Sequence, residues 1–514
     1  SMQTSVAVLL VVLTVCLGAG SCQEGSAAFQ PKDEVSDQAV AAFATWLSIE
    51  TSEANGGHDM EEAITMHLRK LEEGKGEQQQ PIISTVASSA VAEGDILWRF
   101  PKEPLALLLP GGSRQPLPDT VSATSLSLEE RVAAAEATLG MRLLPDQRAL
   151  FSLLLLLHGR AADDAGQAGV TAPEVAAWID VLPPRFSTPF YWNKEEIAVL
   201  KGTQLYANTK QSKTLVKEDH NDILRPLRED DPEAFPKVHY NSATLKWAKA
   251  VWRSRVTSCE LDEEEFECFH PVYELVDYGR SPNALLRDSD GVLELVALRD
   301  ISAGEELVFC EENELSDMEL LDYYGYIREE GKQRHGYGFG VGLDSSETMY
   351  GWKKDLLTHK HLQDHQMYTL TAMEPPSKEL LYALRVYFMS VYETDELEPL
   401  YSMEPISLTN ELEVFAAIGS TCLRKLQKYP TTLATQREEL ADVRGRLTAL
   451  ADASEPSQEE LRTLQRQERG LVYAIAERQV LVYHERFAAR MLEEVRASWD
   501  TRTFDVPTKQ ELIA

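Results

Sequence analysis

The sequence has few cysteines and few basic residues for its length, and both shortages exclude classes of protein. Only 6 of its 514 residues are cysteine, and no Cys-x-x-Cys or Cys/His ligand spacing occurs, so a structural zinc site is not expected. The 50 basic residues are outnumbered by 83 acidic ones, which gives a formal net charge of −33. A surface this acidic repels phosphate backbones, which argues against nucleic acid as a partner. The charge suits a basic protein partner, although a solvated acidic face explains it as well.

Long hydrophobic runs are also missing, apart from one near the N-terminus. Residues 6–20 read VAVLLVVLTVCLGAG, a length that fits the core of a secretory signal peptide and is short for a membrane span. We therefore predict a signal peptide over residues 1–22, with a membrane anchor as the alternative if it is not cleaved. The location expected is the secretory pathway or the cell exterior. The following SAAFQP, at residues 26–31, resembles the cleavage signature of two-step plastid targeting, which makes the plastid the alternative location.

Two of the remaining cysteines leave their oxidation state open. Cys259 and Cys268 flank the acidic stretch ELDEEEFE, and in an oxidising compartment they could close a small disulfide loop. Free, mostly buried thiols are the other interpretation.

The pattern of hydrophobic residues divides the chain into parts of different character. At this length about two or three domains are expected. Residues 35–55 have helical spacing, residues 62–100 resemble short strands and turns, and residues 125–255 are mostly helical. Strand character returns over residues 270–310, and the chain is helical again from about 377. Small β segments thus flank a helical insert, which indicates an α+β part followed by an all-α part.

Several segments follow one another in an order that a known family shares. They are VAEGDILWRFP, then LLLLLHGR, WIDVLPPRFSTPFYW and IAVLKGTQL, then ISAGEELVF and ELLDYYGYI, and finally the string Tyr429-Pro430-Thr431-Thr432-Leu433. Over about residues 38–490 this ordered set resembles the SET-domain protein methyltransferases of the Rubisco large-subunit methyltransferase (LSMT) type. The resemblance implies an α+β fold, in which a SET β-fold with a helical insert is followed by an all-α C-terminal domain.

The resemblance also implies domain boundaries and an activity. The N-terminal part of the SET domain would cover residues 38–115, the insert 116–250, the C-terminal part of the SET domain 251–330, and the helical substrate-binding domain 345–500. The activity implied is S-adenosylmethionine-dependent protein-lysine N-methylation, with histidine as a second possible acceptor. The partner implied is a protein substrate, and no metal is required.

Four residues of the site follow from the same resemblance. Tyr324 stands at the position of the family's catalytic tyrosine, and Tyr323 and Tyr326 would help to line the substrate channel. Arg255 matches an arginine that contacts the cofactor. Taken alone, such a tyrosine cluster is equally typical of core packing, and an arginine after a helix is more often on the surface.

The first cofactor motif departs from the family pattern. Gly-x-Gly is expected where this chain reads Ile82-Ile83-Ser84. Glycine lets the backbone approach a ligand without a Cβ in the way, and isoleucine obstructs that approach. Ser84 stays a candidate cofactor contact, and Gly74-Lys75-Gly76 would supply the loop only after a shift of several residues. Together with the change in the second motif described next, this predicts that S-adenosylmethionine binds weakly or not at all, with an affinity lower by a factor of about ten to a thousand.

The second cofactor motif departs as well. Asn-His is replaced by Asp277-Tyr278, which keeps an acceptor, loses the amide donor and offers a ring that can stack on adenine. Asn283 follows closely as a substitute for the missing asparagine. These departures leave two functions open: a methyltransferase with degenerate cofactor motifs, and a catalytically inactive SET-like protein that acts as a protein-binding module.

A glycine array near residue 340 resembles a phosphate-binding loop. HGYGFGVGL, at residues 335–343, alternates glycine strictly and has no Lys-Ser/Thr after it. We interpret it as a strand that another backbone approaches closely.

Overall fold

A computed structural model describes most of the chain in separate ranges. They are residues 36–51, 53–55, 64–68, 83–101, 107–108, 128–164, 173–183, 186–261, 264–269, 274, 282–289, 292–311, 315–328, 334–394, 397–451, 457–508 and 511–512. The predicted signal peptide lies outside these ranges, as do Asp277, Tyr278 and the segment 74–76. Among the described helices, none is both long and apolar enough to cross a membrane.

The β structure is assembled from segments on both sides of the helical insert. Before the insert come α1 (Asp37–Thr51), β1 (Ile64–Leu68), β2 (Ile83–Ala87), β3 (Ile96–Pro101) and β4 (Leu107–Leu108). After it come β5 (Val256–Leu261), β6 (Glu264–Phe269), β7 (Ala284–Ser289), β8 (Val292–Ala297) and β9 (Phe309–Glu311). One sheet has the order β3-β8-β7-β9 and another the order β4-β6-β5, so strands from either side of the insert pair with each other. Phe100 of β3, for example, lies opposite Leu293 of β8.

The insert itself is a group of packed helices. They are α2 (Leu128–Leu139), α3 (Pro145–Asp164), α4 (Pro173–Val181), α5 (Gln204–Asp219), α6 (Arg225–Asp230) and α7 (Ser242–Arg255). The apolar run at residues 150–157 lies in α3, where Leu150, Leu153 and Leu154 are at most 2% exposed. This apolar run is therefore a buried helix. Helix α7 begins at Asn241, whose side chain accepts hydrogen bonds from the backbone of Ala243 and Thr244.

The C-terminal region is mostly helical, as expected, but it also contains two paired strands. It contains β10 (Gly336–Gly342), α9 (Tyr350–His359), β11 (His365–Thr371), α10 (Lys378–Phe388), α11 (Leu397–Tyr401), α12 (Leu408–Leu426), α13 (Leu433–Ala451) and α14 (Gln458–Ser498). The glycine array forms β10, which confirms the strand prediction, and β10 pairs with β11. A Cβ on Gly342 would lie 2.7 Å from His365 Cδ2, so the glycines admit the partner strand. Strand β11 corrects the expectation that this region is entirely helical.

The cysteines divide between one described buried thiol and two on a hairpin. Cys422 is a free thiol inside the C-terminal core, and burial raises its pKa to about 12. In the β5–β6 hairpin, Cys259 lies opposite Phe266 and Cys268 lies opposite Thr257. The two cysteines are therefore not a directly opposed pair, and their disulfide stays a prediction.

A histidine pair in the insert predicts how stability depends on pH. His158 stacks on His239 with ring centroids 4.8 Å apart, and its Nδ1 lies 3.1 Å from the Tyr240 hydroxyl. Burial, with the nearby charges of His239 and Arg131, lowers the pKa of His158 to about 4. The folded state favours the neutral ring, so this stability is present above pH ~6.5 and is lost as pH falls towards ~4.

We expect His158→Gln to flatten the loss of melting temperature between pH ~6.5 and ~4, because glutamine does not titrate. His365→Gln, at a side chain that is 68% exposed, is the control and should leave the profile unchanged. Identical profiles for His158→Gln and the unmodified protein would contradict the assignment.

Candidate active site

The tyrosine turn, defined here as residues 320–327, follows strand β9 and a short helix. That helix, α8 (Asp317–Glu319), begins at Ser316, whose backbone N–H donates to Glu319 Oε2 at 2.8 Å. It continues into a π-helical turn, Leu320–Tyr324, in which Leu321 is fully buried. Tyr323, Tyr324 and Tyr326 are all half-buried. The three tyrosines that the resemblance assigned therefore lie on one tightly wound segment.

Gly325 lets the chain leave this turn while its backbone packs closely against the insert. Its φ is 78°, a left-handed conformation that favours glycine. A Cβ at this position would lie 3.0 Å from the backbone carbon of Ser187. On the other side, Arg469 Nη1 of α14 donates to the Gly325 carbonyl oxygen at 2.9 Å. The turn is thus enclosed between the insert and the C-terminal helix.

The end of α7 holds the same turn through a charge. Arg253 Nη2 donates to the buried carboxylate of Asp322, and the guanidinium lies 5.2 Å from the centroid of the Tyr323 ring. Burial raises the pKa of Tyr323, and the nearby charge of Arg253 opposes that shift. The sequence LLDYYG contains Asp322, but only the structure shows that the ion-pair partner of this residue lies on α7.

Arg255, two residues further along, is buried and carries an ion pair. Its Nε donates to Glu274 Oε1 at 2.6 Å, and the two side chains are 5% and 2% exposed. Trp178 Nε1 donates to the same carboxylate at 3.3 Å. The guanidinium lies 5.8 Å from the Phe186 ring, and the next residue, Ser187, is the one that packs against the tyrosine turn. The structure therefore places Arg255 in the interior and close to the segment that supports Tyr324.

Two other cofactor candidates lie within hydrogen-bonded sheet structure. Ser84 lies on β2 opposite His67 of β1, so this position is a paired strand rather than a loop. Asn283 is 2% exposed; its Nδ2 donates to the Glu306 carbonyl at 2.8 Å, and its Oδ1 accepts from Val308 N at 2.8 Å. These contacts engage the amide in holding the sheet, which argues against Asn283 as a substitute for the family's asparagine.

A buried glutamate at the junction of the insert and α14 was not foreseen. Glu477 is 1% exposed and accepts hydrogen bonds from the hydroxyls of Tyr429 and Tyr473, each at 2.7 Å. It also accepts from the backbone N–H of Gln204, at the start of α5, at 3.1 Å. Burial raises the pKa of this carboxyl. Tyr473 and Glu477 lie one helical turn apart on α14, but no sequence spacing connects them with Tyr429 or Gln204.

Close backbone contacts strengthen the same junction. Gly202 has φ 98°, and a Cβ there would lie 2.9 Å from Tyr429 Cα. The Gln204 side chain donates to the Gly338 carbonyl at 2.7 Å and accepts from Gly338 N at 2.9 Å. The insert, the tyrosine turn and the C-terminal region therefore share one packed interface.

The family comparison identifies the C-terminal part of the chain. Residues 344–481 match the family model for Rubisco LSMT substrate-binding. Among curated relatives, an Arabidopsis thaliana chloroplastic [fructose-bisphosphate aldolase]-lysine N-methyltransferase is 22% identical over 52% of this chain and 59% of its own length. The human actin-histidine N-methyltransferase is 23% identical over 51% of this chain and 47% of its own length. The chain thus spans about half the length of the curated relatives it matches.

Solved structures extend the likeness to nearly the whole chain. A structure of the SET domain of LSMT bound to lysine and AdoHcy superposes with a TM-score of 0.58, at 18% identity, over 92% of this chain and 94% of its own. A structure of Rubisco LSMT bound to AdoMet gives the same TM-score and identity over 90% of this chain and 96% of its own. The resemblance to the SET-domain protein methyltransferases of the Rubisco LSMT type is confirmed, because residues 344–481 match that family's substrate-binding domain and the chain as a whole has its fold.

Proposed function

We propose that this chain is an S-adenosylmethionine-dependent protein N-methyltransferase, with lysine as the first acceptor to test and histidine as the second. The observation that carries the proposal is the tyrosine turn. Its backbone is held by Arg469 and passes against Ser187, its Asp322 is held by Arg253, and it presents three half-buried tyrosines beside the end of α7. The named activities of the relatives, on a lysine in one case and a histidine in the other, support both acceptors.

Some of the described residues have the chemistry needed to bind the cofactor. Arg255 supplies a buried guanidinium near the tyrosine turn, and we propose that Arg255, Ser84, Asp277 and Tyr278 contact S-adenosylmethionine. When bound, the cofactor supplies an electrophilic methyl group on its sulfonium. The engagement of Arg255 with Glu274 and the strand conformation of Ser84 are consistent with weakened affinity.

The chain's own task is to orient a neutral amine. Free lysine has a pKa of about 10.4 and must lose its proton before it attacks the methyl carbon. A narrow aromatic channel lowers that pKa by desolvation, and we assign its lining to Tyr323 and Tyr326. The Tyr324 hydroxyl oxygen would accept a hydrogen bond from the amine N–H, which leaves the nitrogen lone pair in line with the methyl group. Metal ions have no part in this proposal.

We retain the domain boundaries given above as proposals, and the family match at 344–481 supports the one at 345–500. The partner is a protein, and a basic segment suits the net charge of −33. Of the two locations, plastid delivery has the support of the chloroplastic relative's name.

A second function, a protein-binding module without catalysis, rests on one specific observation. The Arg255 charge is compensated by Glu274 inside the core, and the pair is at most 5% exposed. An arginine paired in this way has less charge to offer a ligand. In this alternative the C-terminal domain binds a partner protein and Tyr324 serves packing only.

Transfer of radiolabelled methyl groups from S-adenosylmethionine to basic protein fractions tests the proposal. We expect labelled protein, with the methyl group located on lysine or histidine by mass spectrometry of the labelled peptides. Labelled lysine would confirm the first acceptor, and labelled histidine would replace it with the second. Absence of label in every fraction, at cofactor concentrations of about 1 mM, would favour the binding module.

A further inference from the structure

We propose that Arg469, on the long C-terminal helix, is a positioning residue for Tyr324. This inference rests on the proposed methyl transfer. It assigns to the C-terminal domain a direct part in holding the catalytic tyrosine, beyond the binding of a protein substrate. The geometry that carries it is the hydrogen bond from Arg469 Nη1 to the carbonyl oxygen of Gly325, the residue directly after Tyr324, at 2.9 Å.

The tyrosine turn depends on contacts from α14. Leu321 and Ile327, on either side of Tyr324, pack in one apolar cluster with Tyr473 of that helix. Arg469 lies one helical turn before Tyr473 and reaches the polar backbone of the same turn. Within the turn, Gly325 N donates to the Leu321 carbonyl at 3.2 Å, a long distance for such a bond. The turn therefore relies on both an apolar and a polar contact from outside itself.

The opposite side of the turn limits where it can move. Gly325 passes so close to Ser187 that a Cβ would lie 3.0 Å from the Ser187 carbon. If the Arg469 contact is lost, the Gly325 carbonyl loses its donor on the α14 side, while the close approach to Ser187 still blocks movement of the turn into the insert. A misplacement of about 1 Å in a catalytic group can lower a rate about 100-fold. Arg469 thus acts on the chemistry through Tyr324 and not by touching the substrate.

The same helix offers a matched control. Arg478, nine residues further along α14, donates through Nη1 to the Thr431 carbonyl at 2.6 Å. This contact has the same chemistry, an arginine donating to a backbone carbonyl, but its acceptor is residue 431 and not the tyrosine turn. The Arg478 guanidinium also donates to Gln436 Oε1 at 3.2 Å and lies 4.9 Å from the Tyr429 ring. Arg478→Met removes the contact and leaves Arg469 in place. Arg469→Lys, which keeps a charged donor on a long side chain, serves as the rescue variant.

The test combines backbone exchange with steady-state kinetics. In Arg469→Met we expect amide hydrogen exchange over residues 320–328 to be about five- to tenfold faster, as the loss of one hydrogen bond predicts. We expect kcat to fall about 10- to 100-fold, with the KM for S-adenosylmethionine unchanged. Arg469→Lys should recover most of kcat, and Arg478→Met should leave both kcat and the exchange of residues 320–328 unchanged.

Each outcome decides the proposal. Unchanged exchange at residues 320–328 in Arg469→Met overturns it, whatever the activity. Equal losses of kcat in Arg469→Met and Arg478→Met also overturn it, because they would reflect general destabilisation. If the unmodified protein neither binds S-adenosylmethionine nor transfers methyl groups, the proposed function fails. Faster exchange in Arg469→Met alone would still support the positioning of the turn.

Discussion

Replacing Tyr324 with phenylalanine is expected to lower kcat for methyl transfer about 100- to 1,000-fold, the usual cost of removing one positioned hydrogen-bonding group from an active site. The ring, which is half-buried in the turn, stays in place and only the hydroxyl is lost. The dissociation constant for S-adenosylmethionine and the melting temperature should therefore be unchanged. Single-turnover kinetics with the labelled cofactor would measure the effect.

The matched control for this substitution is Tyr392→Phe. Tyr392 is 92% exposed in the C-terminal region, so the same chemical change there should leave kcat unaltered. If Tyr324→Phe keeps full activity, Tyr324 is not the catalytic tyrosine. The tyrosine turn would then be a packing element of the junction with α14.

Glu274→Ala is expected to lower the free energy of unfolding by about 3–5 kcal/mol, because it removes the carboxylate that compensates the buried guanidinium of Arg255. The pair is at most 5% exposed, and Trp178 Nε1 would lose its acceptor in the same step. The midpoint of urea denaturation measures the change. We expect a substantially lower midpoint for this variant.

A surface pair on the C-terminal helices provides the comparison. Arg446 and Glu460 are 52% and 47% exposed, and Glu460→Ala should change stability by less than about 1 kcal/mol. A similarly small loss for Glu274→Ala would mean that the charge of Arg255 is compensated elsewhere. That result would contradict the assignment of Glu274 as the main partner of Arg255.

The elements that could be predicted from sequence are those with a strong local pattern. Helix α1 follows helical spacing from Val40 to Leu47, and both side chains are buried. The leucine run in α3 and the alternating glycines of β10 are equally local signals. In each case side chains a few residues apart determine the element.

Contacts between distant segments could not be predicted in the same way. Strand β11 reads HQMYTLT and alternates weakly, and its pairing with β10 depends on a partner more than 20 residues away. The ion pair of Arg255 with Glu274 likewise joins separate elements, as do the hydrogen bonds that Glu477 accepts from Tyr429 and Gln204. Buried charges need partners, but sequence spacing does not say which ones.

The candidate site contains residues that the sequence singled out and, close to them, contacts that only tertiary packing determines. The resemblance singled out Tyr323, Tyr324 and Tyr326, which the structure places on one turn. The left-handed conformation of Gly325 and its contacts with Ser187 and Arg469 depend on tertiary packing, so no local pattern indicated them. Asn283 lies close to the second cofactor motif in the sequence, but its side chain is hydrogen-bonded within the sheet.

Isothermal titration calorimetry of the unmodified protein with S-adenosylmethionine tests the central claim most directly. Catalytic use of this cofactor, with its motifs degenerate, predicts saturable one-to-one binding with a dissociation constant between about 10 µM and about 1 mM. These two dissociation constants are about tenfold and about a thousandfold weaker than 1 µM, the low end of the usual range of KM values. Absence of binding at millimolar cofactor would contradict the methyltransferase assignment and leave the protein-binding module.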